Sequence, residues 1–266
     1  MEQSCENKIW TSVQVSEEVR FFQIGPLRLW YKFCGKELWT TCDRKGEELC
    51  LEDTLIPENA TWSRWALNEK TESLQFKPTF PDRAITIKPE SHLRVAPGAQ
   101  ITVYTRIPIW LRIEREKSIL SEIPIVILSK TYFGTYTRGE QCYWISSGIR
   151  SSIKADALRP FLAICPLDIT NDSKEELLIG KICLRVPELS LYLSENQLWA
   201  SKTYINFRGS NDISRIVIEK NDPKEIEKAQ FISGPRSIEQ RKGFAAKTFE
   251  TLKDVPGLGF LMRYAD

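Results

Sequence analysis

The chain has 266 residues, of which 42% are hydrophobic and 27% are charged. This composition is typical of a folded globular protein and excludes disorder along the whole chain. The 37 basic and 35 acidic residues leave a net charge of +2, which is too small to attract nucleic acid, so we predict no nucleic-acid partner.

The start of the chain predicts a cytoplasmic protein. Residues 1–8 carry acidic side chains where a signal peptide has basic ones, and no apolar segment follows them. No stretch approaches the run of about 18 apolar residues that a membrane span needs. We therefore expect neither export nor a membrane span.

The N-terminal part predicts antiparallel hairpins. Between residues 19 and 55, short apolar runs are separated by turn residues such as Gly25-Pro26 and Gly35. Glycine supplies a positive φ, and proline presets φ at the second position of a turn. We place a domain boundary near residue 80, where three prolines interrupt the pattern: Pro78, Pro81 and Pro89.

Residues 101–114 alternate between apolar and polar side chains without a break. Successive side chains of a strand point to opposite faces, so this run predicts a strand with one dry face. A strand normally has five or six residues, and this run is much longer. We expect it to bend or change sheets near Pro108, because proline cannot donate a hydrogen bond to a neighbouring strand.

Short strands continue to about residue 219, at a spacing typical of sandwiches and partly closed barrels. Residues 237–252 have helical spacing instead, because Ala245, Phe249 and Leu252 share one face. The predicted fold is all-β with a short C-terminal helix that offers a surface for oligomerisation. It comprises an N-terminal antiparallel β domain, an immunoglobulin-like antiparallel β-sandwich, and a linker with a helical tail, over residues 1–80, 81–222 and 223–266.

Two segments are candidate ligand-binding sites. In residues 61–65, Arg64 and Trp65 have the chemistry to stack on a ring or bind an anion, and the alternative is that the tryptophans fill an interface between β layers. Residues 131–140 combine glycines, hydroxyl groups and aromatic rings, a composition suited to a binding loop or to a long hairpin turn with its tyrosines flat on the sheet. The candidates in this second segment are Tyr132, Tyr136, Arg138 and Glu140.

No catalytic or cofactor motif stands out. His92 is the only histidine, so a zinc site with several histidines is excluded, and a catalytic triad would have to use this one residue. The seven cysteines lack the CxxC spacing of zinc ribbons, and we expect them to be reduced, small hydrophobic side chains. We therefore predict no metal, no cofactor and no catalytic residues.

Four segments resemble a prokaryotic family known as domain of unknown function 432. The likeness extends from about residue 20 to residue 210. It is carried by Ser63-Arg-Trp-Ala-Leu, by Phe80-Pro-Asp-Arg-Ala-Ile-Thr-Ile-Lys-Pro-Glu90, by Thr131-Tyr-Phe-Gly-Thr-Tyr-Thr-Arg-Gly-Glu-Gln-Cys-Tyr143 and by Ile182-Cys-Leu-Arg-Val-Pro-Glu-Leu-Ser-Leu-Tyr192. The resemblance implies one shared architecture and no particular activity.

The leading functional hypothesis is a non-catalytic cytoplasmic module that binds a protein or a small polar ligand. The alternative is a carbohydrate-active or other hydrolytic enzyme that uses carboxylates near residues 131–140. A concave pocket holding two carboxylates would favour the enzyme, and a flat packed surface would favour the binding module.

Overall fold

The computed structural model describes residues 9–46, 54–69, 71–89, 91–134, 139–146, 148–153, 159–209, 214–236, 244–246 and 248–250. The described chain contains no α-helix, and the protein is all-β, as predicted. None of its described helical turns has the length and apolar character needed to cross a membrane.

The strands are numbered in chain order, and a 3-10 turn at Val186–Glu188 separates β16 from β17. Their bounds are β1 (Ser12–Gln14), β2 (Arg20–Ile24), β3 (Leu27–Cys34), β4 (Glu37–Arg44), β5 (Ser63–Ala66), β6 (Ser73–Thr79), β7 (Ile85–Lys88), β8 (Leu93–Val95), β9 (Gln100–Pro108), β10 (Trp110–Arg115), β11 (Ser118–Pro124), β12 (Ser129–Phe133), β13 (Glu140–Ser146), β14 (Leu162–Asn171), β15 (Leu177–Ile179), β16 (Lys181–Leu184), β17 (Leu191–Ser194), β18 (Gln197–Ala200), β19 (Thr203–Phe207), β20 (Ser214–Ile218), β21 (Gln230–Ser233), β22 (Phe244–Ala246) and β23 (Phe249–Glu250).

Contacts divide the chain into two compact units. The first unit contains Met1–Thr79, Pro108–Ile127 and Arg159–Phe161. The second unit contains Phe80–Ile107, Leu128–Leu158 and Leu162–Asp266. Each unit is therefore assembled from separate parts of the sequence.

The first unit packs two four-stranded sheets together. One sheet has the order β1-β6-β10-β11 and the other the order β2-β3-β4-β5, with antiparallel pairing throughout. Phe76 of the first sheet makes edge contacts with Phe22 and Tyr31 of the second, with ring centroids 4.9 and 5.5 Å apart. The predicted turns are present, because Gly25 and Gly35 have φ of +51° and +63° between their hairpin strands.

The long alternating run forms two strands that belong to different sheets. β9 ends at Pro108 and pairs with β14, whereas β10 begins at Trp110 and lies between β6 and β11. The predicted change of sheet near Pro108 is therefore confirmed. The dry face is also as predicted, since the apolar positions from Val103 to Ile113 are buried.

The second unit contains a five-stranded sheet, an eight-stranded sheet and a two-stranded ribbon. The five-stranded order is β12-β13-β7-β16-β23. The eight-stranded sheet follows β21-β17-β18-β14-β19-β20-β22, with β9 also paired to β14, and the ribbon joins β15 to β8. Phe207 of β19 packs against Phe249 of β23 at 5.9 Å, which joins the two larger sheets.

The predicted C-terminal helix over residues 237–252 is wrong for the part of that segment that is described. Residues 244–246 form β22 on the edge of β20, and residues 249–250 form β23 on the edge of β16. The spacing of apolar residues in a short segment fits both a helix and a strand. The open edges of the two sheets favour the strand, because they supply partners for the backbone hydrogen bonds of this segment. The hypothesis of oligomerisation through this helix loses its structural basis.

Candidate functional site

One face of the eight-stranded sheet carries polar side chains from three neighbouring strands. The pairing of the strands places Asp168 of β14 opposite Tyr204 of β19. The next pair on the same face of these two strands is aligned in the same way, and residues of β19 are in turn opposite residues of β20. Side chains directly opposite each other share a face, so alternate residues of each strand meet there. We call the following set the polar sheet face: Asp168, Thr170, Lys202, Tyr204, Asn206, Arg215, Val217 and Glu219.

A partly open cavity of about 200 Å³ lies on the polar sheet face. Its polar wall is formed by Thr170, Tyr204, Asn206 and Arg215, and Val217 adds an apolar surface. Arg215 is exposed, and no described carboxylate forms an ion pair with it. The Asn206 Oδ1 atom is buried and accepts no hydrogen bond from the described residues. The cavity therefore offers a donor group to a ligand, and one of its lining residues carries a buried acceptor atom without a donor.

An ionic cluster lies beside the cavity on the same face. The Lys202 ammonium is 3.0 Å from an Asp168 carboxylate oxygen and 2.8 Å from a Glu225 oxygen, and all three side chains are largely buried. The Thr102 hydroxyl donates to the other Asp168 oxygen at 2.6 Å. The Tyr204 hydroxyl donates to Glu219 at 3.1 Å. The bond to Glu219 fixes the orientation of the Tyr204 ring at the edge of the cavity.

The cluster keeps Lys202 charged. Burial alone would lower the pKa of the Lys202 ammonium, but hydrogen bonds to Glu225 and Asp168, together with their charges, raise this pKa above its ordinary value. Burial raises the pKa of the Tyr204 hydroxyl, and its bond to Glu219 raises it further. Lys202 therefore acts as a fixed positive charge, and Tyr204 acts as a hydrogen-bonding group.

A second group of polar side chains lies in the five-stranded sheet. Glu140 and Cys142 alternate on β13, and Cys183 lies on β16, on the other side of β7. The two sulfur atoms are 4.0 Å apart, and the Cys183 Sγ atom is 3.7 Å from Glu140 Oε1. The Arg185 guanidinium donates to the same Glu140 carboxylate. Both thiols are buried, and Ala84 and Phe133 pack around them.

The predicted residues Arg64 and Trp65 lie on β5 in the first unit. Arg64 forms a bidentate ion pair with Glu37 and places its guanidinium 4.7 Å from the centre of the Trp39 ring. Trp65 points to the other side of the strand and is 37% exposed. The arginine thus stacks on the indole of Trp39, which lies outside the predicted segment.

The residues predicted from 131–140 have different outcomes. Tyr132 is 47% exposed on β12, with its ring against Gly139, and Glu140 forms the ion pair with Arg185 described above. Tyr136 and Arg138 lie outside the described residues. The binding role of this segment stays a prediction.

The polar sheet face was not predicted from the sequence. A usable signal was present, because Lys202, Tyr204 and Asn206 are polar at every second position, and Arg215 and Glu219 are polar on either side of Val217 in the same alternation. The register between β14, β19 and β20 was needed to bring these groups together.

The comparisons with known proteins identify a family. A search of curated proteins finds no match, and neither does a search of solved structures. The family model described as protein of unknown function DUF432 matches residues 9–253, a longer part of the chain than residues 20–210. The chain therefore belongs to the DUF432 family.

Proposed function

We propose that the protein is a non-catalytic binding module that takes a small carboxylate bearing hydroxyl groups in the cavity of the polar sheet face. The observation that carries the proposal is that an exposed arginine, Arg215, and a residue with an unsatisfied buried acceptor, Asn206, line the same cavity of about 200 Å³. This volume is below the range of pockets for drug-sized ligands, which favours a small molecule.

The ligand chemistry follows from the groups that line the cavity. A guanidinium binds a carboxylate through two parallel hydrogen bonds, which makes Arg215 the anchor for an anion. A buried amide oxygen without a donor costs free energy, and a ligand hydroxyl that donates to Asn206 Oδ1 removes this cost. Thr170 supplies a further hydroxyl, and the fixed Tyr204 ring supplies an apolar surface on which a sugar-like ring can lie.

The charges beside the cavity support binding over catalysis. A nucleophilic or basic lysine needs a neutral amine, and the raised pKa of Lys202 keeps its ammonium charged. Asp168 and Glu225 are both engaged by that ammonium. The hydrolytic alternative near residues 131–140 gains no support from Glu140, because Arg185 already engages this carboxylate.

The experiment titrates the isotope-labelled protein with glucuronate and, separately, with glucose. The two probes share a ring and differ in the carboxylate, so they separate the contribution of Arg215 from that of the hydroxyl groups. We expect saturable NMR shifts at residues 170, 204–206 and 215–217 with glucuronate, and weaker shifts with glucose. The glucuronate is expected to be recovered unchanged.

Matched variants locate the interaction. Arg215→Leu is expected to abolish the preference for glucuronate, whereas Arg94→Leu, which removes an exposed arginine paired with Glu176, is expected to keep it. Glucuronate that causes no saturable shift at the cavity residues, or an equal effect of the two variants, would contradict the proposal.

We also propose that the protein works in the cytoplasm of a prokaryotic cell. The support is the chemistry of the cysteines: five described cysteines, among them Cys142 and Cys183, are free thiols. A reducing compartment keeps such thiols from oxidation. Fractionation of the native host with an antibody against the chain tests this location, and recovery in a periplasmic or extracellular fraction would contradict it.

A further inference from the structure

Three side chains of the types that bind soft metal ions converge in the five-stranded sheet. Candidate ligand atoms of Glu140, Cys142 and Cys183 all lie within 4.8 Å of one another. We propose that these three residues bind a thiophilic divalent cation, with Zn²⁺ as the best-fitting ion. This site is separate from the cavity of the polar sheet face.

Two of the three separations between the ligand atoms match the coordination of zinc. Zn–S bonds of about 2.3 Å and Zn–O bonds of about 2.0 Å at tetrahedral angles place two sulfurs about 3.8 Å apart and a sulfur and an oxygen about 3.5 Å apart. The observed separations are 4.0 Å between the sulfurs and 3.7 Å between Cys183 Sγ and Glu140 Oε1. Cys142 Sγ and the Glu140 carboxylate lie within 4.8 Å of each other, which is about 1 Å beyond the zinc value, so side-chain movements of that size would seat the ion.

The strands hold these ligands in place. Glu140 and Cys142 are two residues apart on β13, so their side chains share a face. Cys183 lies on β16 and Arg185 directly follows this strand, so these two side chains also share a face. β7 lies between the two strands and is paired to both. Because both thiols are buried in this paired sheet, little conformational freedom is lost when an ion binds.

The same arrangement disfavours a disulfide between the two cysteines. Neighbouring strands are about 4.8 Å apart, so two strands on either side of a third are separated by roughly twice that distance. A disulfide needs Cα atoms within about 6.8 Å of each other. A metal ion is compatible with the longer separation of the Cα atoms, because it lies between the two sulfurs and binds each of them.

The charges of the three ligands and Arg185 balance when a divalent ion is bound. Two thiolates and the Glu140 carboxylate carry one negative charge more than the ion neutralises, and Arg185 supplies the remaining positive charge. Neutrality matters here because an unbalanced buried charge is costly. Arg185 is thus a positioning residue that holds and neutralises the Glu140 carboxylate, as groups behind a metal ligand commonly do.

The proton equilibria of the thiols agree with this geometry. A hydrogen bond with the Cys183 thiol lowers the pKa of Cys142, with help from the Thr86 hydroxyl and the Arg185 charge, and against burial and the Glu140 charge. The hydrogen bond with Cys142 and burial raise the pKa of Cys183. A bound cation requires both thiols to lose their protons, so the affinity for the ion depends on pH.

The test titrates the full-length, metal-free, reduced protein with Co²⁺, which reports thiolate ligands through an intense near-ultraviolet charge-transfer band. We expect one equivalent of Co²⁺ per chain to produce the band and Zn²⁺ to displace it, because zinc binds such sites more tightly than cobalt. Absence of the band in the wild-type protein would overturn the proposal. So would a Cys142–Cys183 disulfide in the protein isolated from its host.

Variants assign the band to these residues. Cys142→Ser and Cys183→Ser are expected to abolish it, and Arg185→Gln is expected to weaken Co²⁺ binding about tenfold or more. The control Cys165→Ser removes another buried thiol of the second unit and is expected to keep the band. A band that survives in the double variant C142S/C183S would overturn the proposal.

A measurement on the wild-type protein covers the case in which a serine variant fails to fold. Under mild denaturant, bound Zn²⁺ is expected to protect Cys142 and Cys183 from iodoacetamide while Cys165 is modified, as read by mass spectrometry of peptides. Equal modification of all three thiols in the presence of Zn²⁺ would contradict the site.

Discussion

The sulfur atoms of Cys142 and Cys183 lie 4.0 Å apart, although the strands that carry them are on opposite sides of β7. The two residues are 41 positions apart in the chain. Their proximity depends on the parallel pairing of β13 with β7 and the antiparallel pairing of β7 with β16. It is this pairing that converts two isolated cysteines into one site.

The first prediction concerns the turn at Gly25. Both Gly25 and Gly35 have positive φ, so alanine at either position costs about 1–2 kcal/mol of backbone strain. A methyl group at Gly25 would also lie 2.5 Å from the Phe161 ring, whereas one at Gly35 meets no atom within 4 Å. We expect Gly25→Ala to reduce the free energy of unfolding by about 2 kcal/mol more than Gly35→Ala, as measured by urea denaturation. Equal losses would show that the Phe161 contact is unimportant.

The second prediction concerns the buried carboxylate of Glu114 in the first unit. Lys77 lies 2.6 Å and Arg112 3.6 Å from its oxygens, and Arg112 keeps a second partner in Glu122. We expect Glu114→Ala to lower the free energy of unfolding by about 2 kcal/mol, because it removes the buried partner of an ion pair. The loss is limited because the ammonium of Lys77 still reaches solvent.

The matched control for Glu114 is Glu176→Ala, which breaks the exposed ion pair with Arg94. Exposed pairs contribute less than about 1 kcal/mol. Chemical denaturation of both variants and the wild type provides the comparison. A loss at Glu114 no larger than that at Glu176 would contradict the importance we give to burial.

The third prediction tests the Lys202 cluster. Lys202→Met leaves the carboxylates of Asp168 and Glu225 buried without their ammonium, and we expect a loss of about 3 kcal/mol in the free energy of unfolding. Adding Glu225→Gln removes one of the two stranded charges, so the double variant is expected to recover part of the loss. Lys220→Met, at an exposed position, is the control. Additive effects of the two substitutions in a double-mutant cycle would show that the cluster is not coupled.

The fourth prediction is a pH dependence at Glu188. Burial raises the pKa of its carboxyl, the Glu140 charge raises it further, and the Arg185 charge opposes both. A folded-state pKa above the unfolded value gives a stabilising contribution that is present below the unfolded pKa and is lost as pH rises through the folded pKa. Glu188→Gln removes this loss, so we expect its stability relative to the wild type to increase from pH 4 to pH 7. Urea denaturation at both pH values is the measurement, and a constant or decreasing difference would contradict the prediction.

Local patterns in the sequence predicted the strands well where burial follows a strict alternation. Residues 101–114 are the clearest case. An alternation with a period of two fits a strand and no helix, and Pro108 ends the hydrogen-bonded pairing of the first strand. The prediction of a C-terminal helix was wrong because the apolar residues of 244–250 fit both a helical and a strand period. Pairing with the edges of β16 and β20 determines that the described residues form strands.

The candidate sites were less accessible from the sequence. Glu140 was identified as a candidate, but its partners Cys183 and Arg185 lie more than 40 positions away, and no local pattern indicates such a contact. The polar sheet face shows the same limit, since Asp168 and Tyr204 are directly opposite each other only because β14 and β19 pair in parallel.

The sequence by itself determined that this chain forms β structure, where it turns, and that its long run divides at Pro108, because side-chain alternation and the stereochemistry of glycine and proline are local properties. The sequence predicted antiparallel pairing, but β13 pairs in parallel with β7, and β14 pairs in parallel with β18 and β19. Only the tertiary structure decided which strands are neighbours. That choice placed Arg215 beside Asn206 and Cys142 beside Cys183, since register and sheet order depend on how distant segments bury their apolar faces together.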